Sequence, residues 1–225
     1  MHPPVQPWIH AHIFGPCATR DVSVIHADIK AADGVDLVAD ILTDAGLATH
    51  ESRFSGKRGR RVLHVAPEPC LETRLRARLG ADYVTADLFN PAMLRMDTTA
   101  IDHPDDSFDV IYCSHVLEHV SDDKRAMREL ARVLSPGGWA IFLVPIIAEH
   151  SHEDPTVTDP RERERLYGRN NHVRAYGPDY ADRLRECGFE VTVTAPRDLA
   201  SAADVVHFGL TPAAGFIHYR TKAPR

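Results

Sequence analysis

From Arg61 onward the chain alternates short apolar runs with amphipathic stretches, the rhythm of strand–helix–strand units that build a mostly parallel sheet. Val62-Leu63-His64-Val65-Ala66 reads as a first strand ended by Pro67. A helix follows with Leu71, Leu75 and Leu79 on one face and Gly80 as its stop. Tyr83 to Ala86 reads as a second strand closed by Asp87, and Met93 to Met96 as a short third one closed by Asp97. Phe108 to Cys113 forms the fourth. Asp122 to Leu134 carries Met127, Leu130, Val133 and Leu134 at helical spacing, with Pro136-Gly137-Gly138 as its stop. Trp139 to Val144 is nearly unbroken apolar sequence, as the centre of a parallel sheet requires.

A long polar stretch from Pro145 to about Gly177 exceeds an ordinary connection, so it is expected to be either functional or partly helical in the RERERLYG segment. Tyr180 to Glu186 is a last helix, Phe189 to Thr194 alternates as a strand, and Phe216 to Tyr219 is expected to pair with it antiparallel at the sheet edge. The chain divides into an N-terminal appendage or lid, residues 1–59, and a main domain, residues 60–225. In the appendage two apolar runs end in Asp28 and Asp40, which fits a hairpin. The fold class is α/β: a Rossmann-like, doubly wound, mostly parallel sheet.

Length and composition narrow the function. At 225 residues the chain fits one domain plus an appendage. The formal charge of −6 argues against general binding to a phosphate backbone, so no nucleic-acid partner is expected. No apolar run approaches the ~20 residues of a membrane helix, and the proline-rich start does not read as a secretory leader. A cytoplasmic location follows as an expectation. Cys17, Cys70, Cys113 and Cys187 are widely spaced, which fits reduced thiols rather than a disulfide frame or a structural zinc site.

In open α/β sheets ligands sit outside the carboxyl ends of the strands. Asp87, with Leu88 beside it, stands where a carboxylate accepts two ribose hydroxyls, and Asp97 with Thr98 where a side chain meets an adenine amino group; alone, a strand-terminal Asp is usually a turn former. His115 and His119 follow the fourth strand, four residues apart, as candidate general bases or substrate anchors. The cluster His150-Ser151-His152-Glu153-Asp154, with His172 later, faces the same end of the sheet. No fixed ligand spacing supports a metal there, so none is assigned. His150, Glu153, Arg169, His172 and Arg174 are candidates for gripping a polar substrate, with ion pairing inside the loop as the plainer reading.

The run DHPDDSFDVIYCSHVLEHVSDDKRAMRELARVLSPGGWAIFLVP resembles the middle of class I S-adenosylmethionine-dependent methyltransferases, the group acting on small molecules in particular. The likeness spans roughly Arg61 to Val193, and turn, helix and strand agree in order. It implies S-adenosylmethionine as cofactor, a seven-stranded sheet with one antiparallel edge-region strand, and cofactor contacts at Asp87, Asp97 and Ser114. One stretch departs from the family pattern. The acidic residue and GxGxG loop after the first strand are replaced by His64-Val65-Ala66-Pro67-Glu68-Pro69-Cys70, which resembles an HxAPE-type variant. Ala66 still allows close backbone approach, Pro67 and Pro69 hold the loop extended, and Glu68 is a candidate acceptor for the cofactor's ammonium.

The resulting expectation is methyl transfer to a small acceptor through oxygen, nitrogen or activated carbon, on a polar or anionic metabolite. His115, His119 or His172 would take a proton, and a homodimer stays open. The rivals are a regulatory module whose altered loop has lost catalysis and a metal-dependent enzyme using His150 to Asp154.

Overall fold

The computed structural model describes residues 60–194 and 217–219. The expected appendage, with Asp28 and Asp40, lies outside the described residues. Seven strands form the main sheet: β1 (Val62–Val65), β2 (Tyr83–Asp87), β3 (Leu94–Arg95), β4 (Phe108–Ser114), β5 (Leu134–Leu143), β8 (Thr192–Thr194) and β9 (Ile217–Tyr219). Their order is β3-β2-β1-β4-β5-β9-β8. The first five pair in parallel, and β9 runs antiparallel to both β5 and β8. The antiparallel strand therefore lies inside the sheet, and β8 takes the edge. The antiparallel pairing expected between these last two strands at the sheet edge is present.

Period-two alternation assigns each strand residue to a face. Leu63, Val65, Ala86, Ile111, Cys113, Ala140 and Phe142 belong to one buried cluster. Helix α2 (Asp123–Val133) covers it with Ala126, Met127 and Leu130, and α4 (Tyr180–Glu186) adds Tyr180 and Leu184. Val62, Tyr83, Val110, Tyr112, Trp139 and Ile141 form the opposite cluster with Leu71 and Leu75 of α1 (Pro69–Leu79). Both strand faces are buried, which explains why Trp139 to Leu143 of β5 (Leu134–Leu143) reads as a nearly unbroken apolar run. Helix α1 opens with Pro69 in its first turn, and α2 opens on Asp122, whose carboxylate accepts the amide of Arg125 at 2.9 Å.

One local expectation changes, and the helix expected in the RERERLYG segment is present. Ser135 to Gly138 does not terminate α2 in a loop but belongs to β5. Phe108 pairs with Leu134 and Val110 with Trp139, so the extra residues bulge out of the strand between those rungs. Gly138 is required there, since a Cβ would fall 2.8 Å from the backbone oxygen of Asp109. The long polar stretch folds as helix α3 (Pro160–Tyr167) and a two-stranded antiparallel ribbon of β6 (His152–Glu153) with β7 (Arg174–Ala175). Cys113 and Cys187 are buried free thiols, and burial pushes both upward in pKa. No helix among the described residues is long and apolar enough to cross a membrane.

Candidate functional site

The direction of winding reverses between β1 and β4, so the topological switch point, where open α/β sheets bind ligands, lies at their carboxyl ends. Two backbone features mark this point. Ala66, one residue beyond β1, has φ 51°, and His115, one residue beyond β4, has φ 53°. Each amide is tied outward: Ala66 N–H donates to the oxygen of Ala86 on β2, and His115 N–H to that of Leu143 on β5, both at 2.8 Å. The two central chains thus part just beyond the sheet. The left-handed region costs an L-residue about 1–2 kcal/mol, so the surrounding structure holds both residues there. Ala66 stands where the resembled loop carries its first glycine. The first strand ends one residue earlier than the apolar run suggests for this reason.

The substituted loop is held by a buried relay. His64 is fully buried; its Nδ1 lies 2.6 Å from the Tyr83 hydroxyl, and its Nε2 lies 2.7 Å from Oε2 of Glu68. Burial, together with the charges of Glu72 and Glu68, raises the Tyr83 pKa so far that the phenol keeps its proton. Tyr83 then donates to Nδ1, and Nε2–H donates to the carboxylate. Pro67 is half-buried behind Ala66, and Glu68 is buried at the N-terminus of α1, where the helix dipole favours negative charge. Tyr83 was missed by sequence reasoning, because the register that brings it to His64 has no local signal.

Asp87 ends β2 as expected, but its carboxylate already shapes the following turn. Oδ1 accepts the amides of Phe89 and Asn90, each at 2.7 Å, and Oδ2 accepts the Asn90 side-chain amide at 3.1 Å. Leu88 beside it is half-buried. Asp97 is exposed and accepts the amide and hydroxyl of Thr99, whereas Thr98 is buried. Ser114, the last residue of β4, is buried and its hydroxyl has no protein partner, so it is available to a ligand at the switch point.

Beyond His115 a single 3-10 turn, Leu117–His119, carries Glu118 and His119. Glu118 is 1% exposed; Oε1 accepts from Nδ1 of His115 at 3.2 Å, and Oε2 is buried without a partner. Burial raises its pKa, but the hydrogen bond from His115 and the nearby imidazoles outweigh this and hold it ionised. His119 and His172 meet edge to face, ring centroids 4.7 Å apart. Nδ1 of His172 donates to the oxygen of Tyr167 at 2.9 Å, and Nδ1 of His119 to that of Asn171 at 3.2 Å. Burial pushes the His172 pKa down to about 4, so its ring is neutral near pH 7. The structure therefore brings together the three histidines named as catalytic candidates, with Glu118 at their centre.

The remaining residues of the polar loop separate from this group. Arg174, 2% exposed, donates to the oxygens of Leu117, Val120 and Ser121 and pairs with Glu153 across the β6–β7 ribbon. Asp123 and Arg183 extend this network. Glu153 and Arg174, expected to grip substrate, are instead consumed by ion pairing within the protein. His150 is exposed and Arg169 half-buried. Asp154 accepts from Thr156, and Nδ1 of His152 donates to the oxygen of His150, so His150 to Asp154 do not converge.

Comparison with known proteins agrees with this architecture. Residues 43–142 match the family model described as "Methyltransferase domain". A demethylmenaquinone methyltransferase from Renibacterium salmoninarum is 34% identical over 107 residues, which is 42% of this chain and 43% of the relative. A ubiquinone biosynthesis O-methyltransferase from Paraburkholderia phymatum is 30% identical over 102 residues, 37% of this chain and 44% of the relative. The chain thus spans less than half the length of these curated relatives. The crystal structure of a candidate sarcosine dimethylglycine methyltransferase from Galdieria sulphuraria superposes with a TM-score of 0.51 at 14% identity, covering 96% of this chain and 93% of that one, which speaks to the fold alone. Over residues 43–142 the chain is thus similar to the methyltransferase domain family, and its sheet has the fold of such domains.

Proposed function

We propose that this domain transfers a methyl group from S-adenosylmethionine to a small-molecule acceptor. The observation that carries the proposal is the parting of the chain at Ala66 and His115, at the switch point between a loop bearing Glu68 and the segment bearing His115 and His119, against which His172 packs. In this reading Glu68, fixed by His64, accepts the cofactor's ammonium, and Ala66 and Pro67 let the backbone approach it. Asp87 and Leu88 border the ribose, Asp97 and Thr98 the adenine, and the hydroxyl of Ser114 closes the pocket. The nucleophile attacks the sulfonium methyl carbon in line as the carbon–sulfur bond breaks, and S-adenosylhomocysteine leaves. Catalysis then consists of holding the two groups in line and excluding water.

The relatives' names point to quinone precursors, and both oxygen and carbon methylation occur among them. The acceptor of this chain is accordingly a molecule with an acidic O–H, N–H or activated C–H, whose proton passes to an imidazole of the His115–His119 turn. With Arg174 committed to the interior, Arg169 and His150 are the candidates for an anionic substituent. Calorimetric titration with S-adenosylhomocysteine tests the donor site: saturable binding supports it, and no heat at millimolar ligand rejects it. Radiolabelled methyl uptake from a metabolite extract then identifies the acceptor.

A further inference from the structure

We infer that Glu118, His119 and His172 form a binding site for one divalent first-row transition cation. A carboxylate oxygen and one nitrogen from each imidazole all lie within 4.8 Å of one another. Donors on one tetrahedral cation at bonds of about 2.1 Å stand about 3.4 Å apart, so the group closes on the ion by a contraction of up to about 1.4 Å.

The hydrogen bonds around the group prepare it for this task. A backbone carbonyl can only accept, so Nδ1 of His172 and Nδ1 of His119 each carry a proton, bonded to Tyr167 and Asn171. In the neutral ring the lone pair is then on Nε2 of both. An imidazole whose second nitrogen donates to a carbonyl is the arrangement that orients histidine toward a metal. Glu118 presents the third donor. Its Oε1 is held by His115, while Oε2 is buried with no hydrogen bond in the protein. Burying a carboxylate oxygen without a hydrogen bond is costly, and a cation removes that cost.

The donor set of two imidazoles and one carboxylate suits Zn²⁺, Mn²⁺, Fe²⁺ or Co²⁺ and not Ca²⁺, which prefers oxygen throughout. His119 is only partly buried, so the cation would keep open positions on that side, as catalytic rather than structural sites do. Its use in catalysis rests on the methyl-transfer reading: a cation there would bind the acceptor's oxygen and make it more acidic. The site itself does not depend on that reading.

The test uses the full chain without a histidine tag, stripped with chelator and titrated with Zn²⁺ and Co²⁺ against a chromophoric chelator. One tightly bound equivalent is expected, with affinity lowered at least about tenfold by His172→Ala and by Glu118→Gln and unchanged by His150→Ala. Failure to compete with the chelator, or equal affinity in all variants, overturns the site. Should a variant fail to fold, the wild-type protein still decides: added Zn²⁺ must shift the Nε2 resonances of His119 and His172, and unshifted resonances overturn the site. S-adenosylhomocysteine titration of the same stripped sample separates the two proposals. Metal binding without nucleoside binding keeps the site and rejects methyl transfer, and the reverse rejects the site alone.

Discussion

Nε2 of His64 lies 2.7 Å from Oε2 of Glu68, four residues later, and this contact stands where related loops place glycines. A glycine loop reaches its ligand through bare backbone. In the proposed reading the approach would be made instead by a carboxylate fixed in position by an imidazole, which is itself fixed by Tyr83. Preorganisation of this kind keeps the charge in place without using conformational freedom at the moment of binding.

Glu68→Gln tests whether that charge faces the ligand. The amide still accepts from His64 but cannot neutralise an ammonium, so S-adenosylhomocysteine affinity should fall about tenfold or more, the scale of a charge-assisted hydrogen bond. Thermal stability should change little. Calorimetry reads the first and a melting curve the second. Unchanged affinity would reduce Glu68 to a role in shaping the loop.

Asp87→Asn separates two duties of one carboxylate. The asparagine oxygen can still accept the amides of Phe89 and Asn90, so the turn after β2 survives. Hydrogen bonds from ribose hydroxyls to a charged oxygen would weaken, and we expect a loss of about 1.5–3 kcal/mol in cofactor binding. Binding at the wild-type level in a folded variant would assign Asp87 to the turn alone.

The contrast between Asp87 and His172 shows what the sequence makes legible. Asp87 is found by position, since it closes an apolar run and strand ends are local features. The same holds for Ser114 and for the apolar stripe of α2. His172 lies 53 residues beyond His119 in the chain, behind a helix and a ribbon, and nothing local announces their ring contact. The pairing of Glu153 with Arg174 is hidden likewise, because it depends on the β6–β7 register. Ser135 to Gly138 misled for a different reason. Pro-Gly-Gly is a strong turn signal, and a bulge inside a paired strand uses the same torsions.

Ala66→Gly and Ala66→Val should move stability in opposite directions. Glycine relieves the left-handed strain at φ 51° but loses more entropy on folding, for a net gain of up to about 1 kcal/mol. Valine adds a β-branched side chain where the backbone tolerates it least and should destabilise by at least about 1 kcal/mol while lowering cofactor affinity. Chemical denaturation of the three proteins decides this. A glycine variant less stable than wild type would mean that Ala66 is not strained.

Asp123→Asn should be the most damaging single change outside the sheet. Asp123 is 2% exposed; it accepts from Tyr176 at 2.6 Å and from Arg183 at 2.6 and 3.1 Å, and Arg174 lies 3.6 Å away. Removing its charge leaves two guanidinium groups with Glu153 as their remaining acidic partner, a loss of about 3 kcal/mol. The pH dependence follows from the sign of the shift. Burial raises the Asp123 pKa, but the hydrogen bonds from Arg183 and Tyr176 and the charges of both arginines outweigh it and hold the carboxyl below its ordinary value. A carboxyl depressed in the folded state adds stability that is fully present above the unfolded pKa of about 3.9 and is lost as pH falls through the folded value. The gap between wild type and variant should therefore be constant from pH 5 to 7 and narrow steadily on acidification below about pH 4. Urea unfolding across that range measures it, and a gap that persists undiminished at low pH would show that Asp123 acts through packing and not through charge.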